Sequence, residues 1–460
     1  MTPNGAQERF PAMIEEKSRG GNALAAHPAF PMPYTLLWED GTGLAVQFPI
    51  AAAGLGWNPI NQQPNCLRNH QELEALRLSL RVDAHPIRVM DAVLTPLQNG
   101  WPEGFEGFRK MIRRNLDLSQ QQREDLAWAR DCMVYHFAFA YGKECFDYDT
   151  GRFNMTRLLD DGEACGGYDA VLIWHQYPRL GLDSRDQWDF FEDFPGGISA
   201  LREAVDTAHK RSVRVLLPFK PWDRLPSKSD VDIAEALKEV LRQTDADGVF
   251  LDATQTAPTL FREAMDQVRP GLILDIELTP QDQGTIELVT STWDQYFYEW
   301  GMPEAPLFRY LFPEYSVHMT SRWALGEGKD NLIKRAMFNG CGLVVWQDVF
   351  GTWLPFSQEQ KAAIRQWKQV YREWRDCFRG RATPLWPTVQ KGLQMNLFEG
   401  ENRAVAAFYN DAGQVISGEA VRRLNYSSAR AILGGTASLS GGTLSVAIEP
   451  GEVLLAVLER

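Results

Sequence analysis

The chain has 460 residues, of which 47 are Lys or Arg and 60 are Asp or Glu, so its formal net charge is −13. This length corresponds to two or three domains, and 44% hydrophobic with 23% charged residues is typical of a globular protein with a large core. The acidic balance and the lack of a Lys/Arg cluster disfavour nucleic acid as a partner.

No membrane or targeting segment is evident in the sequence. No apolar run reaches the 18 residues of a membrane span, and the first twenty residues lack an apolar signal core. We therefore expect a soluble protein with no membrane partner, which is cytoplasmic, or secreted or periplasmic if a leader has been removed. Assembly into a homo-oligomer is left open.

The cysteines favour reduced, buried thiols over a disulfide framework or a zinc site. They are widely spaced and form no CxxC pair, at Cys66, Cys132, Cys145, Cys165, Cys341 and Cys377. The seven histidines show no HxH or HExxH spacing, so we expect no metal and no other cofactor. The chain also lacks the glycine-rich phosphate loops GxGxxG and GxxxxGK[ST].

Residues 1–103 have the pattern of a β-rich domain. Residues 34–49 form two apolar runs around Glu-Asp-Gly-Thr-Gly, which predicts a hairpin, and residues 76–82 and 87–97 also have strand-like patterns. From residue 104 to 130 the spacing becomes helical, which predicts a helical linker.

Residues 131–380 alternate short apolar runs with amphipathic segments, a pattern that predicts parallel βαβ units. Eight such strands in about 220 residues favour a (β/α)8 TIM barrel over an open sheet. The predicted strands are 133–140, 170–177, 213–220, 248–252, 272–278, 286–294, 314–319 and 342–347, and the predicted helices include 198–210, 231–243, 258–268 and 330–338. A closing helix is predicted at 357–378, and residues 381–460 predict a C-terminal β-sandwich.

In a (β/α)8 barrel the reactive side chains lie at the C-terminal ends of the strands. Six of the predicted strand ends form a consistent set, because four of them carry a Trp and five carry a carboxylate. The members of this set that we regard as sugar-binding candidates are Trp174, His175, Lys220, Trp222, Asp223, Trp293, Trp346 and Asp348. Indole faces stack on pyranose rings, while acids and amides bind the hydroxyl groups.

Asp252 is the leading catalytic candidate, since the apolar run 246–252 ends on it. A strand-end Asp that caps the next helix is an equally common arrangement. One βα unit later, a second strand ends on Glu277, and Asp294 on the sixth strand is the rival acid. Carboxyl groups on neighbouring strands can approach the ~5–5.5 Å separation of a retaining glycosidase, in which one is the nucleophile and the other the acid and base.

The segments ADGVFLDATQT, PGLILDIEL and GCGLVVWQDVFGTW resemble the superfamily of (β/α)8 α-glycosidases that contains the α-galactosidases, α-glucosidases and α-amylases. The resemblance covers residues 130–460 and implies that Asp252 is the nucleophile. It implies Glu277 as the acid/base in the amylase branch, or Asp294 in the galactosidase branch. The Asp-x-x-x-x-Asn-His signature of amylases is absent, and Phe250 stands where amylases carry an Arg.

We therefore expect a retaining glycoside hydrolase that acts on α-linked oligo- or polysaccharides. A transglycosidase would differ only in how well the site excludes water from the glycosyl-enzyme. A non-catalytic carbohydrate-binding barrel is the rival from another class, because the same acids and aromatic rings could bind a sugar without cleaving it.

Overall fold

The computed structural model describes the strand residues 7–9, 34–39, 42–47 and 93–97, and residues 101–175, 187–220, 228–254, 256–280, 283–295 and 306–460. The strands Gln7–Arg9, Tyr34–Glu39, Thr42–Gln47 and Val93–Leu97 form an antiparallel sheet in chain order. Tyr34–Glu39 and Thr42–Gln47 pair as the predicted hairpin. The strand predicted at 76–82 lies outside the described residues.

The centre of the molecule is a closed barrel of eight parallel strands, in which each strand pairs with the next along the chain and the last pairs with the first. This confirms the predicted TIM barrel. We number its strands β1 (Val134–Phe139), β2 (Ala170–Trp174), β3 (Arg214–Phe219), β4 (Gly248–Leu251), β5 (Ile273–Ile276), β6 (Ser291–Gln295), β7 (Ser316–Thr320) and β8 (Gly342–Trp346).

Helices lie between successive strands, as a parallel barrel requires. They are Met155–Gly162, Gly197–Lys210, Asp230–Thr244, Thr259–Val268, Gln283–Leu288, Leu307–Leu311 and Glu327–Asn339. Trp101–Arg113 and Ala127–Asp131 precede β1, and Gln358–Glu373 and Arg375–Phe378 follow β8. None of the helices in the described part of the chain is long and apolar enough to cross a membrane.

The prediction of the sixth strand is wrong in its first half. Residues 286–294 were expected to be extended, but Gln283–Leu288 is a helix and β6 begins only at Ser291. The run Ile-Glu-Leu-Val is short and apolar, so its periodicity does not separate a strand from a buried helix turn. Tertiary contacts decide the matter, because the Ile286 carbonyl accepts hydrogen bonds from Tyr315 and Gln121.

The C-terminal region consists of two antiparallel sheets that enclose an apolar core, as predicted. One sheet contains Arg381–Thr383, Leu393–Glu399, Arg403–Asn410, Val453–Glu459 and Ser428–Leu433, and the other contains Ile416–Val421, Thr443–Ile448 and Thr436–Ser440. Fully buried Asn396 joins this region to the barrel, since its Nδ2 donates to the Phe338 carbonyl at 3.0 Å.

Two apolar shells enclose the barrel wall. Outside the strands, aliphatic side chains pack against the helices in the largest core cluster. Inside the barrel the core is mainly aromatic. Phe137 of β1 stacks between Trp346 and Trp174, with 4.0 Å and 5.2 Å between the ring centres. The ring centres of Phe250 and Trp293 are 4.3 Å apart. Because these rings fill the interior, the barrel is a packed core and not a pore.

Gly248 sets the approach of β4 to β5. A Cβ atom at this position would lie 2.2 Å from the Ile273 carbonyl oxygen, which is a backbone atom and cannot rotate away. Gly248 pairs with Ile273 in the ladder, so an added methyl group would push the two strands apart. The two carboxylates that follow these strands therefore depend on this glycine for their spacing.

We expect Gly248→Ala to lower the free energy of unfolding by about 3 kcal/mol, the upper end of the range for overpacking. Urea denaturation would measure this loss. Gly151→Ala is the control, because Gly151 has φ +67 and nothing within 4 Å of the added Cβ, so only the backbone conformation costs about 1 kcal/mol. An equal loss in both variants would contradict the close approach.

Candidate active site at the C-terminal end of the barrel

Asp252 and Glu277 are neighbours because β4 and β5 pair in parallel register. Leu251 stands opposite Ile276, so the next residue of each strand comes beside the other. The ladder continues past the strand ends, where the Glu277 amide donates to the Leu251 carbonyl at 2.9 Å and the Asp252 amide donates to the Phe219 carbonyl at 2.8 Å. Both carboxyl groups therefore start from fixed backbone positions.

The two carboxyl groups are close enough for the negative charge of Glu277 to act on Asp252. Burial raises the pKa of Asp252 far above its usual range, and the charge of Glu277 raises it further. Lys220 and Arg322 act in the opposite direction on this pKa, but more weakly. A neighbouring carboxylate and the exclusion of water are the two features that raise the pKa of the acid in catalytic carboxyl pairs.

Glu277 accepts hydrogen bonds at both of its oxygen atoms. Arg322 Nη2 lies 3.2 Å from Oε1, and the backbone amide of Ala253 donates to Oε2. Ala253 has φ +49, in the left-handed region that is uncommon for a residue with a Cβ atom. Strained backbone is often found at functional sites, and here it belongs to a residue whose amide binds the Glu277 carboxylate.

Asp275 lies one layer deeper, on the same face of β5 as Glu277, and its side chain is fully buried. Burial raises its pKa to about 7, while nearby Ser291 and the Ile276 amide, which donates to its Oδ1 at 2.9 Å, oppose the rise. Its position below the pair makes it a support for the site and not a group that could touch a sugar.

Lys220 follows β3 and has no exposed surface. Its ammonium group lies 4.5 Å from the centre of the Trp174 ring, and its backbone amide donates to Gln187 Oε1 at 2.6 Å. Lys220 also lowers the pKa of Asp252, so it is close to the carboxyl pair. In this position the positive charge of Lys220 can stabilise a negative charge on the pair from the β3 side.

Three other predicted site residues cannot be placed at the pair. Asp294 lies within β6, but the orientation of its side chain is not described. Trp222 and Asp223 lie outside the described residues. Their roles stay predictions, and so does the choice between Glu277 and Asp294 as the acid.

Three of the four tryptophans predicted to bind sugar lie inside the barrel, and the fourth, Trp222, lies outside the described residues. Trp174, Trp293 and Trp346 are at most 5% exposed and belong to the aromatic core. The exposed aromatic rings of the same face come from loops that follow the strands: Tyr141, Tyr148, Trp323, Phe350 and Trp353. Within the part of the chain that the structure describes, stacking on a sugar ring would therefore fall to these loop residues.

A cavity of about 890 Å³ opens between the loops that follow β1, β2 and β8. Aromatic residues, the cations Lys143 and Arg157, and carboxylates line it, together with the predicted residues His175 and Asp348. The size and mixed lining suit a small polar ligand with apolar faces. Arg322, which binds Glu277, connects the acid pair to the cavity through two rings. Its Cζ lies 5.4 Å from the centre of the Trp346 ring, and that centre lies 5.5 Å from the centre of the Phe350 ring at the cavity.

Asp348 holds the cavity loops together. Its Oδ2 accepts from the Lys143 amide at 2.9 Å and its Oδ1 accepts from the Gly351 amide at 3.0 Å, so one carboxylate joins the β1 and β8 loops. His175 is almost fully buried and its ring lies 4.7 Å from Phe191. Both residues border the cavity, and both have evident structural contacts.

Arg322 is the site residue that the sequence analysis missed. It stands two residues after β7, and the six strand ends from which candidates were taken do not include those of the first and seventh strands. The usable signal was its position at a barrel strand end, the same criterion that identified Asp252 and Glu277. Tyr141 and Lys143, which follow β1, were missed for the same reason.

One group of described residues has metal-ligand geometry, and it lies near the N-terminal end of β4, away from the acid pair. It consists of Asp206, His209 and Asp245. Arg202 bonds to Asp206 at 3.0 Å and Arg269 bonds to Asp245 at 3.0 Å. The carboxylates are thus neutralised by arginines, and this cluster is better explained as a network of surface ion pairs.

No family profile matches this chain, and no curated protein matches it in sequence. Among solved structures, it is similar to an α-amylase from Geobacillus thermoleovorans complexed with acarbose, with 14% identity, a TM-score of 0.52 and coverage of 72% of this chain and 99% of that one. A maltogenic α-amylase from Thermotoga neapolitana has 14% identity, a TM-score of 0.53 and the same coverage. A debranching enzyme from Nostoc punctiforme soaked with acarbose has 12% identity, a TM-score of 0.52 and again the same coverage. At these identities the similarity establishes an α-amylase-like fold.

We expect Asp348→Asn to lower the free energy of unfolding by about 1–3 kcal/mol. The NH2 group of the new side chain would point at one of the two backbone N–H groups, which would then have no acceptor. Thermal or urea denaturation would measure the loss, and limited proteolysis would show faster cleavage in the loops at residues 141–149 and 350–353. Asp149→Asn is the matched control, since Asp149 is exposed at the same cavity. Equal stability of the two variants would contradict the bridging role.

Proposed function

We propose that this protein is a glycoside hydrolase that cleaves α-linked oligo- or polysaccharides by double displacement, with Asp252 and Glu277 as its two carboxyl groups. The observation that carries this proposal is the pair of neighbouring acids that the strand register places at the C-terminal ends of β4 and β5. In a TIM barrel this end of the strands is where active sites are found.

The chemistry assigns one task to each carboxyl group. Asp252, once ionised, attacks the anomeric carbon, while the second acid protonates the leaving oxygen and then removes a proton from the water that releases the sugar. Glu277 is the neighbour of Asp252 on the adjoining strand, and Asp294 is kept as the alternative acid. A retaining enzyme needs ~5–5.5 Å between its carboxyl groups and an inverting enzyme needs ~6.5–9.5 Å. Adjoining strands lie about 4.8 Å apart, so the separation of two acids on neighbouring strand ends is nearer to the retaining spacing.

The cavity and its aromatic rim support a saccharide as the substrate. Phe350 and Tyr141 are 49% and 43% exposed, so each presents ring surface to solvent, and Lys143, Asp147 and Asp149 supply polar groups at the same opening. Two of the solved structures with this fold contain acarbose. A neutral glucan also suits a chain with a net charge of −13.

We expect the protein to release reducing sugar from starch or maltooligosaccharides, and Asp252→Asn and Glu277→Gln each to reduce kcat by at least about 10³-fold. Each amide is nearly isosteric with the acid that it replaces, so sugar binding should persist in calorimetric titrations. Asp411→Asn is the control, because Asp411 is exposed on the C-terminal sheets. Asp294→Asn tests the alternative acid, and an α-galactoside tests the alternative branch.

Full activity in both amide variants would contradict the assignment of the pair. Sugar binding without turnover by the unmodified protein would favour the non-catalytic carbohydrate-binding barrel. If transfer to a second sugar exceeds hydrolysis, the transglycosidase alternative is supported. Proton NMR of the first product would show a retained anomeric configuration if the mechanism is double displacement.

A further inference from the structure

The tip of the hairpin that follows β8 carries a residue that is unusual for its conformation. The hairpin pairs Asp348–Val349 with Thr352–Trp353, so its loop consists of Phe350 and Gly351 alone. Both loop residues have positive φ, +50 and +86, as in a type I′ turn. Asn, Asp or Gly normally occupies the first position of this turn, because a bulky side chain is strained at positive φ. Phe350 therefore destabilises a turn that asparagine would fit.

Burial does not explain why this position holds a phenylalanine. The Phe350 side chain is 49% exposed and borders the cavity between the β1, β2 and β8 loops. Its ring centre lies 5.6 Å from that of Phe139 and 5.5 Å from that of Trp346, yet half of its surface remains open. Strained residues cluster at ligand-binding positions. The strain and the exposure of Phe350 thus both indicate contact with a ligand.

The β1 loop supplies three more rings to the cavity. Tyr141, Phe146 and Tyr148 contact one another in turn, with 5.1 Å and 4.9 Å between ring centres. The Tyr141 hydroxyl donates to the Asp193 carbonyl at 2.5 Å, and the Tyr148 hydroxyl donates to the Tyr141 carbonyl at 3.2 Å. The two tyrosines are nevertheless 43% and 70% exposed. Because their hydroxyl groups are engaged with the backbone, these residues offer mainly ring faces to a ligand.

One carboxylate sets the spacing between the two loops that carry these rings. Asp348 accepts hydrogen bonds from the Lys143 amide of the β1 loop and from the Gly351 amide beside Phe350. The backbones of both loops are therefore joined before a ligand binds. Such an arrangement lowers the entropy that a ligand must offset on binding.

The lining of the cavity matches a neutral molecule with apolar faces and polar edges. The aromatic rings supply apolar surface, and neither sign of charge prevails among the polar side chains, which include Asp147, Asp149, Asp348, Lys143 and Arg157. A pyranose ring has this character, since its C–H faces stack on aromatic rings and its edges carry hydroxyl groups. The volume of about 890 Å³ is in the upper part of the range for ligand pockets, so more than one sugar ring can fit.

The cavity lies across the barrel from the acid pair. In the closed barrel, β4 and β5 stand four strands away from β8 and β1 respectively, which is the greatest separation that eight strands allow. A sugar ring in the cavity is therefore not the ring whose anomeric carbon Asp252 would attack. A ligand that reaches both places must extend across the mouth of the barrel.

We propose that this cavity binds sugar units remote from the cleaved bond, and that Phe350 and Tyr148 are the stacking residues that make the protein specific for oligosaccharides over glycosides of a single sugar. The position of the cleaved bond rests on the proposed function, but the stacking itself does not require turnover. Phe350 places an aromatic face at the cavity at the expense of a relaxed turn.

Calorimetric titration of maltoheptaose tests the stacking in the full chain, with Asp252→Asn as the background so that turnover does not interfere. We expect Phe350→Ala and Phe350→Asn to weaken binding about tenfold and Phe350→Tyr less than about twofold, because only the first two remove an aromatic anchor. Unchanged affinity in Phe350→Ala and Phe350→Asn would overturn the proposal, and so would the absence of maltoheptaose binding to the background protein.

Thermal unfolding separates the strain of the turn from the packing of the ring. Phe350→Ala and Phe350→Asn lose the same ring contacts, but asparagine tolerates positive φ, so the Asn variant should have the higher Tm. Arg423→Asn is the matched control, because Arg423 has φ +62 and is exposed in the C-terminal region. This control should not lower the Tm and should leave sugar binding unchanged. An Asn variant that is no more stable than the Ala variant would overturn the assignment of strain to Phe350.

Tyr148 distinguishes stacking from hydrogen bonding. Tyr148→Phe keeps the ring and Tyr148→Ala removes it, so we expect the first to bind maltoheptaose like the background protein and the second about tenfold more weakly. Val415→Ala is the control, since Val415 is an exposed apolar residue of the C-terminal region. Equal losses in the Phe and Ala variants would mean that the hydroxyl group binds the sugar, which would overturn the stacking role.

Substrate length tests the distance from the cleaved bond. In the protein with an intact acid pair, Phe350→Ala should raise KM for maltoheptaose about tenfold with little change in kcat, because the lost contact is the same in the ground and transition states. Neither constant should change for 4-nitrophenyl α-glucoside. The same loss on both substrates would place Phe350 at the cleaved sugar, and a preference of the unmodified protein for the single-sugar glycoside would overturn the specificity.

The outcomes distinguish this inference from the proposed function. Maltoheptaose binding that depends on Phe350 and Tyr148, without any hydrolysis, would remove the proposed function and leave the sugar site. Hydrolysis that is lost in Asp252→Asn and Glu277→Gln but unaffected by Phe350→Ala and Tyr148→Ala would do the reverse.

Discussion

The parallel register of β4 on β5 is the constraint on which the candidate site depends. Leu251 opposite Ile276 brings Asp252 beside Glu277, and a displacement of one residue would move one carboxylate to the other face of its strand. Gly248 allows this pairing, since a larger residue would meet the Ile273 backbone at the start of the two strands. The raised pKa of Asp252 follows in part from the same register, because a carboxyl group on the adjoining strand is close enough for its charge to act on Asp252.

The aromatic interior of the barrel supports the site from below. Trp174, Trp293 and Trp346 pack around Phe137 and Phe250, which leaves the loop residues to form the open surface. This division separates stability from recognition: the rings inside hold the strand ends rigid, and the exposed rings at the cavity can adapt to a ligand. Arg322 links the two regions, since it contacts both Glu277 and the Trp346 ring.

Much of the fold could be predicted from the sequence, because eight apolar runs separated by amphipathic helices leave few alternatives to a barrel. Asp252 and Glu277 could also be predicted from the sequence, since each directly follows an apolar run of strand length. The errors have local causes. The first half of the sixth predicted strand is the helix Gln283–Leu288, because a short apolar run has no decisive period. Arg322 was missed because the six strand ends that supplied candidates exclude that of the seventh strand, and its contact with Glu277 spans 45 residues of sequence.

The sequence by itself determined the order of strands and helices and the side chains available at each strand end, because hydrophobic periodicity and chain order are local properties. It did not determine which of those side chains point into the packed core, and the tryptophans at the strand ends show this most clearly. Tertiary structure decided that Glu277 is bound by Arg322 and Ala253 and that Asp252 lies beside it. The charge state of an acid pair is set by solvent exclusion and by donors from distant segments, and these exist only once the barrel has closed.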